Sequence, residues 1–274
     1  QIKGEDFDQT FSPVAAFRSL RVIFALSVQF GLRLYQLDVV AAFLNGVLDR
    51  EIFMRQPRGF EDGTRRVCKL QKAIYGLKQS SRLWNEDLHS TLIAMEFSRC
   101  RSDPCLYFKC KGSSVMFFLV YVDDIIISTN DDDLYRHTLA GLKAEYELTE
   151  SPSVSWVLGW HVSVSPSSIF VSQSAFVSSL LLRFGMSDSN AVCVPGVADM
   201  PGVDPRTSRE AQSFTPSRYR EAVGSLLFLT NCTRPDISYA VNVACRSMSS
   251  PTLEDWMRVK RIFRYLVGTA SYGL

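Results

Sequence analysis

The 274-residue sequence has no long apolar run. No stretch reaches the roughly 18 apolar residues of a membrane span, because the longest candidate, VMFFLVYV with IIIS after it, is split by Asp123 and Asp124. Histidine is scarce: His89, His137 and His161 suggest no Ser/His or Cys/His nucleophile pair. The seven cysteines are odd in number and form no C-x-x-C pair, which argues against a disulfide framework or a zinc knuckle and for a reducing compartment. Cys105 and Cys110 are near each other, but a lone pair is a poor metal site. There is no internal repeat and no low-complexity tail. The N-terminus, QIKGEDFDQTFSPV, has neither an initiator Met nor an apolar signal core, so the expectation is a segment of a longer polyprotein.

What is present is a globular composition, 46% hydrophobic with mean hydropathy +0.03 and net charge +2. The charge is uneven. Residues 55–82 carry eight Lys or Arg against Glu61 and Asp62, whereas residues 121–150 carry eight Asp or Glu against Arg136 and Lys143. A basic segment beside an acidic one suits a protein that holds a polyanion near bound cations; two ordinary solvated faces would look the same.

Helix signals open at TFSPVAAFRSLRVIFALSVQFG, with Ser12 as cap, Pro13 in the first turn and Gly31 as terminator. LYQLDVVAAF then reads as a strand ending in Asp38, and the basic 49–70 region as short strands and loops. Trp84, Leu88, Leu92 and Met95 make an amphipathic helix of 83–97. CLYFKC, VMFFLVYV and IIIST are consecutive strands, with Asp123-Asp124 at the second hairpin tip. DDDLYRHTLAGLKAEYEL is a helix whose leading aspartates suit the macrodipole. SWVLGWHVSV and SIFVSQ form a hairpin, SAFVSSLLLRFG a helix, and 193–216, with Pro195, Pro201, Pro205 and Pro216, a connector. Helices over 217–231, 235–248 and 251–267 finish the chain, the last led by Ser250-Pro251.

Two aspartates inside an apolar run are costly to bury unless a cation or a tight turn compensates them. If the hairpin pairs beside the first strand, Asp38 and Asp123 meet, and carboxylates on rigid strands are what Mg²⁺ needs when substrate phosphates supply its other ligands. A strand-end Asp and a D-D turn also occur in ordinary sheets.

The blocks QLDVVAAFLNGVLDREIFMRQPRGF, VCKLQKAIYGLKQSSRLW, SDPCLYF, LVYVDDIIIS and YREAVGSLLFLTNCTRPDISYAV, ending in KRIFRYLVGT, resemble the Ty1/copia class of LTR retrotransposon reverse transcriptases, in family order from about Phe7 to Leu274. The resemblance implies an α+β right-hand polymerase: partial fingers and an antiparallel palm over 1–164, and a helical thumb and connection over 165–274. It implies RNA-directed DNA synthesis by two-metal nucleotidyl transfer from dNTP to a primer 3′ hydroxyl, on an RNA or DNA template. By that reading Asp38, Asp123 and Asp124 ligate two Mg²⁺ ions, with Mn²⁺ able to substitute. Phe43 is the steric gate against a 2′-hydroxyl. Val39, Ala41, Ala42 and Val122 line the nucleotide site. Gly76, Lys78 and Gln79 lie against template and nascent base pair, and Trp156, Leu158 and Gly159 belong to the primer grip. Phosphate contacts would carry affinity without sequence choice.

The family setting implies ribonuclease H and integrase regions elsewhere in a polyprotein, no membrane partner, and a cytoplasmic virus-like particle with a nuclear stage. A fingertip strand is expected before this N-terminus. Ser80-Ser81 stands where the family commonly has Ala-Pro, and Ser151-Pro152 where it has Leu-Gly. The alternative is a silent relic that retains the fold and primer–template binding. An RNA-templated RNA polymerase is disfavoured by Phe43.

Overall fold

The computed structural model describes residues 1–196 and 214–274, and most of the 193–216 connector lies outside them. The chain divides into two compact units, 1–154 and 155–274. The division expected from the sequence, between 164 and 165, lies ten residues later, within β10 (Trp160–Ser165).

The first unit is built on a six-stranded antiparallel sheet, assembled from β1 (Arg33–Val39), β4 (Ser98–Arg99), β5 (Leu106–Lys111), β6 (Ser114–Tyr121), β7 (Asp124–Thr129) and β8 (Leu148–Ser151) in the order β4-β5-β6-β7-β1-β8. β7 is central, and Ile125–Thr129 are all buried, so both faces of that strand must be covered. One face packs Leu37, Ile125, Ile127, Phe118 and Val120 against Trp84, Leu88 and Leu92 of α2 (Ser80–Ala94) and Leu134 and Leu142 of α3 (Asp132–Glu145). On the other face, Ser128 meets Ser27 of α1 (Phe17–Phe30), Oγ to Oγ 2.7 Å. The basic region forms a two-stranded ladder of β2 (Phe53–Arg55) and β3 (Val67–Lys69).

Three boundaries differ from the sequence reading. α1 starts at Phe17, not near Pro13, and its N-cap Ala16 has no side-chain cap. The expected role of Ser12 falls to Asp103, whose buried Oδ2 accepts from the Ala16 amide (3.0 Å) and the Ser19 hydroxyl (2.5 Å). α2 begins at Ser80, three residues earlier than the apolar stripe suggested, because its first turn is fastened by the Ser80 hydroxyl to the Ile74 carbonyl. The hairpin tip is Val122-Asp123, so Asp124 is a strand residue paired with Tyr121. As predicted, Gly31 closes α1 at φ 62°, and acids lead α3: Asp132 and Asp133 lie in its first turn, while Asp131 caps it by accepting from the Asp133 and Leu134 amides.

In the second unit β9 (Trp156–Val157), β10 (Trp160–Ser165) and β11 (Ser168–Ser172) form a three-stranded sheet. Helices α4 (Ser174–Arg183), α5 (Pro216–Cys232), α6 (Ser238–Cys245) and α7 (Leu253–Gly268) pack Leu180, Leu226, Val241, Trp256 and Phe263 into one core. Pro235–Ile237 is a 3₁₀ turn, so α6 starts later than the predicted 235, and α7 begins at a Thr252–Asp255 capping box rather than at Ser250-Pro251. Among the described residues no helix is long and apolar enough to cross a membrane.

Candidate active site

Antiparallel pairing sets Asp38 of β1 directly opposite Asp124 of β7. Directly opposed residues share a sheet face, so the two carboxylates point to the same side, with Gln36 two residues before Asp38 on that side. Leu37 and Val39 alternate into the core, which leaves Asp38 exposed. Asp123 completes the group from the adjoining turn, where its carbonyl accepts from the Val39 amide at 3.0 Å.

The turn itself is strained. Val122 holds φ 55°, the first-position conformation of a two-residue hairpin that usually takes glycine. Its carbonyl accepts from the Trp84 indole Nε1 at 2.9 Å, which ties the turn to α2. Two core elements therefore hold Asp123 in place.

The three carboxylates are not equivalent. Asp123 Oδ2 accepts from the Tyr75 hydroxyl at 2.7 Å, whereas Oδ1 is buried and has no hydrogen-bond partner among the described residues. Burial pushes the Asp124 carboxyl above its ordinary range; the Gln36 amide, 3.4 Å away, pulls it down, and the charges of Asp38 and Asp123 push it up again. The bond to Asp123, with burial and the neighbouring carboxylates, pushes Tyr75 up to about 12, so it remains a neutral donor.

This donor set fits a divalent cation. A buried, unpartnered carboxylate oxygen is an expensive group that a cation would satisfy, and the mutual repulsion recorded at Asp124 is what a cation removes. Among the described residues no group of three or more His, Cys, Asp or Glu side chains is arranged to hold a metal ion by itself. Oxygens from a substrate are the remaining ligands such a site needs.

Next to the carboxylates, Ala41 at φ 50° turns the chain from β1 into a 3₁₀ turn, Ala42–Asn45. Ala42 and Phe43 are buried, and the Phe43 ring lies 4.3 Å from that of Tyr75, centroid to centroid. Gly46 follows because a Cβ there would sit 3.0 Å from that of Leu83, so α2 approaches the turn closely. Phe43, Val122, Trp84 and Ser81 line a cleft of about 180 Å³ with the 10–14 segment.

The remaining predicted residues are placed as follows. Gly76 has φ 101°, which favours glycine, and Lys78 is exposed. Gln79 is fully buried, bonded to the Gln1 side chain and the Asp6 carbonyl, so its side chain braces the N-terminal segment. In the second unit, Leu158-Gly159 is a two-residue turn with both φ positive, between paired Val157 and Trp160. Trp156 is half-exposed against His161, and Trp160 is fully buried. The sequence does not single out Tyr75 or Gln36, and it marks Trp84 only as part of an amphipathic stripe. Tyr75 lies within the VCKLQKAIYGLKQSSRLW block, but nothing local reveals that its hydroxyl reaches a residue 48 positions away.

A profile described as reverse transcriptase (RNA-dependent DNA polymerase) matches residues 1–198. The chain belongs to the reverse transcriptase family. Over its full length it is 39% identical to the retrovirus-related Pol polyprotein from transposon RE2 of Arabidopsis thaliana, covering 19% of that protein. It is 37% identical, over 99% of its length, to the Pol polyprotein from transposon TNT 1-94 of Nicotiana tabacum, covering 21% of it. The chain thus spans about a fifth of these copia-type polyproteins. The putative transposon Ty5-1 protein of Saccharomyces cerevisiae is 31% identical over 87% of the chain and 77% of its own length. Divalent metal ions are used by the reverse transcriptase family generally.

Proposed function

We propose that this chain is the RNA-directed DNA polymerase module of a copia-like Pol polyprotein, extending a primer 3′ hydroxyl with dNTPs on an RNA or DNA template. The observation that carries the proposal is the pairing of Asp38 with Asp124 beside a turn-borne Asp123 whose Oδ1 is buried and unpartnered. Asp38 and Asp123 would be the principal Mg²⁺ ligands, and Asp124 the third. Bound Mg²⁺ ions supply charge neutralisation at the triphosphate and acidify the attacking hydroxyl. The chain's own work is positioning: the strands fix the carboxylates, the Ala41 and Ala42 amides face the triphosphate, and Phe43 packs beneath the sugar. In this reading 1–164 are partial fingers and palm, 165–274 are thumb and connection, and Trp156, Leu158 and Gly159 belong to the element that holds the primer. Gly76, Lys78 and Gln79 support the template side. Its setting would be a cytoplasmic particle.

The test is Mg²⁺-dependent dTTP incorporation on an RNA template with an annealed DNA primer, beside Asp38→Asn and Asp123→Asn. Each substitution should lower incorporation by roughly 10²-fold or more, since a preorganised charge at the reacting phosphate is removed. Incorporation that survives both substitutions would refute the assignment.

A further inference from the structure

We infer that Tyr75 is a positioning residue that couples the metal site to the sugar gate. This rests on the polymerase reading above and adds a residue to it. The phenol makes two contacts that face different chemistries: its hydroxyl donates to Asp123 Oδ2 at 2.7 Å, and its ring lies 4.3 Å from the Phe43 ring. With Oδ2 occupied by a directional donor, rotation of the Asp123 carboxylate is stopped and the unpartnered Oδ1 is the oxygen left to meet a cation. The second contact lays an aromatic surface against the residue placed beneath the sugar.

Two observations separate this from a surface tyrosine resting on its neighbours. Tyr75 is 58% exposed, so its burial contributes little to folding, yet the two contacts above are both with residues of the site. It also sits on a segment tied down on each side. The Ala73 amide donates to the Gly46 carbonyl (2.9 Å), the Ser80 hydroxyl to the Ile74 carbonyl (2.6 Å), and the Lys78 amide to Gln1 Oε1 (2.7 Å). A mobile loop would not hold a phenol in one orientation; this one is braced.

Outer donors to ligating carboxylates typically account for about 10- to 100-fold in metal affinity. Tyr75→Phe removes only the hydroxyl, and Tyr75→Leu removes the ring as well. The readouts are Mn²⁺ binding to the full chain followed by electron paramagnetic resonance, and the rUTP:dTTP incorporation ratio. Expected are a 10- to 100-fold weaker Mn²⁺ site in Tyr75→Phe with an unchanged ratio and thermal midpoint, and a raised ratio only in Tyr75→Leu. Tyr75→Phe binding Mn²⁺ as the parent does, or Tyr75→Leu keeping the parent's ratio, would overturn the inference. Asp123→Asn separates the two levels. If it loses Mn²⁺ while Tyr75→Phe keeps it, only the role of Tyr75 fails; if Asp123→Asn binds Mn²⁺ as the parent does, the metal reading fails with it.

Discussion

Arg234 offers the sharpest energetic test of the second unit. Its side chain is 1% exposed, at the junction between the end of α5 and the 3₁₀ turn. It donates to both Asp236 carboxylate oxygens (2.8 and 3.0 Å), to the Thr269 carbonyl (2.8 Å) and to the Thr269 hydroxyl (2.7 Å). The Tyr265 and Tyr272 rings lie 5.7 and 5.6 Å from the guanidinium carbon. One cation thus ties the end of α5 to the end of α7. Arg234→Met keeps the stem volume and removes every one of these bonds. Removing one partner of a buried ion pair costs about 3–5 kcal/mol. Asp236 keeps the Tyr265 hydroxyl (2.9 Å) and is 33% exposed, so water reaches the orphaned carboxylate and the lower end, about 3 kcal/mol, applies. Urea unfolding followed by far-UV circular dichroism measures it. A loss below about 1 kcal/mol would place the pair with surface ion pairs and refute the reasoning. Adding Asp236→Leu should restore only the part due to the orphaned carboxylate, because the Tyr265 hydroxyl and the Thr269 oxygens still lack their partners.

The same pair has a pH signature. Burial pushes the Asp236 carboxyl up, but the hydrogen bond and charge of Arg234 and the Tyr265 hydroxyl outweigh it, so the folded-state value lies below the ordinary 3.8. A depressed folded value contributes stability that is fully present above 3.8 and is lost as pH falls through the folded value. The deficit of Arg234→Met relative to the parent should therefore be complete at neutral pH and shrink in acid below 3.8. A deficit that grows in acid would contradict the assignment.

Substitutions at two further residues test the first unit. Asp103→Ala strands the Ala16 amide, the Ser19 hydroxyl and the Cys105 amide, and should lower stability by about 2–3 kcal/mol in thermal unfolding. Asp103→Asn, which keeps an acceptor, should recover part of it; equal loss in both would mean that charge rather than acceptance is what α1 requires. Phe43→Ala should raise the rUTP:dTTP incorporation ratio by roughly 10- to 200-fold, the range for steric discrimination by an apolar contact. An unchanged ratio in a folded protein would refute the proposed gate role of Phe43.

Much of this architecture is legible in local pattern. Consecutive β-rich runs around short turns predict β5, β6 and β7, and the lone acid at the end of an apolar run predicts Asp38 as a strand-end carboxylate; their meeting then needs only that β1 pair with β7, which it does. What local pattern misses is the long-range contact. α1 is capped by Asp103, 87 residues from Ala16, so Ser12 and Pro13 look like its start and are not. The tip of the β6–β7 hairpin is decided by one residue of register, and either Asp123 or Asp124 could have been the strand residue until pairing with Tyr121 chose Asp124. Tyr75 and Trp84 act on the turn from other elements, which no periodicity of their own segments encodes.

Backbone strain lies close to the acids of the first unit. Four non-glycine residues among those described have positive φ: Ala41, Glu96, Val122 and Leu158. Glu96 directly follows the C-cap of α2, where a left-handed residue is an ordinary terminator. The other three fall on positions that the family resemblance had assigned to nucleotide or primer. For Val122 the conformation is a genuine outlier, because a β-branched side chain crowds the left-handed region at a cost of about 1–2 kcal/mol. Such a residue persists only where its surroundings over-determine it, and here they do: β6 and β7 fix both ends of the turn, the Trp84 indole holds its carbonyl, and the Val39 amide holds the carbonyl of Asp123. The arrangement spends folding energy to keep Asp123 beside Asp38 before any ligand arrives.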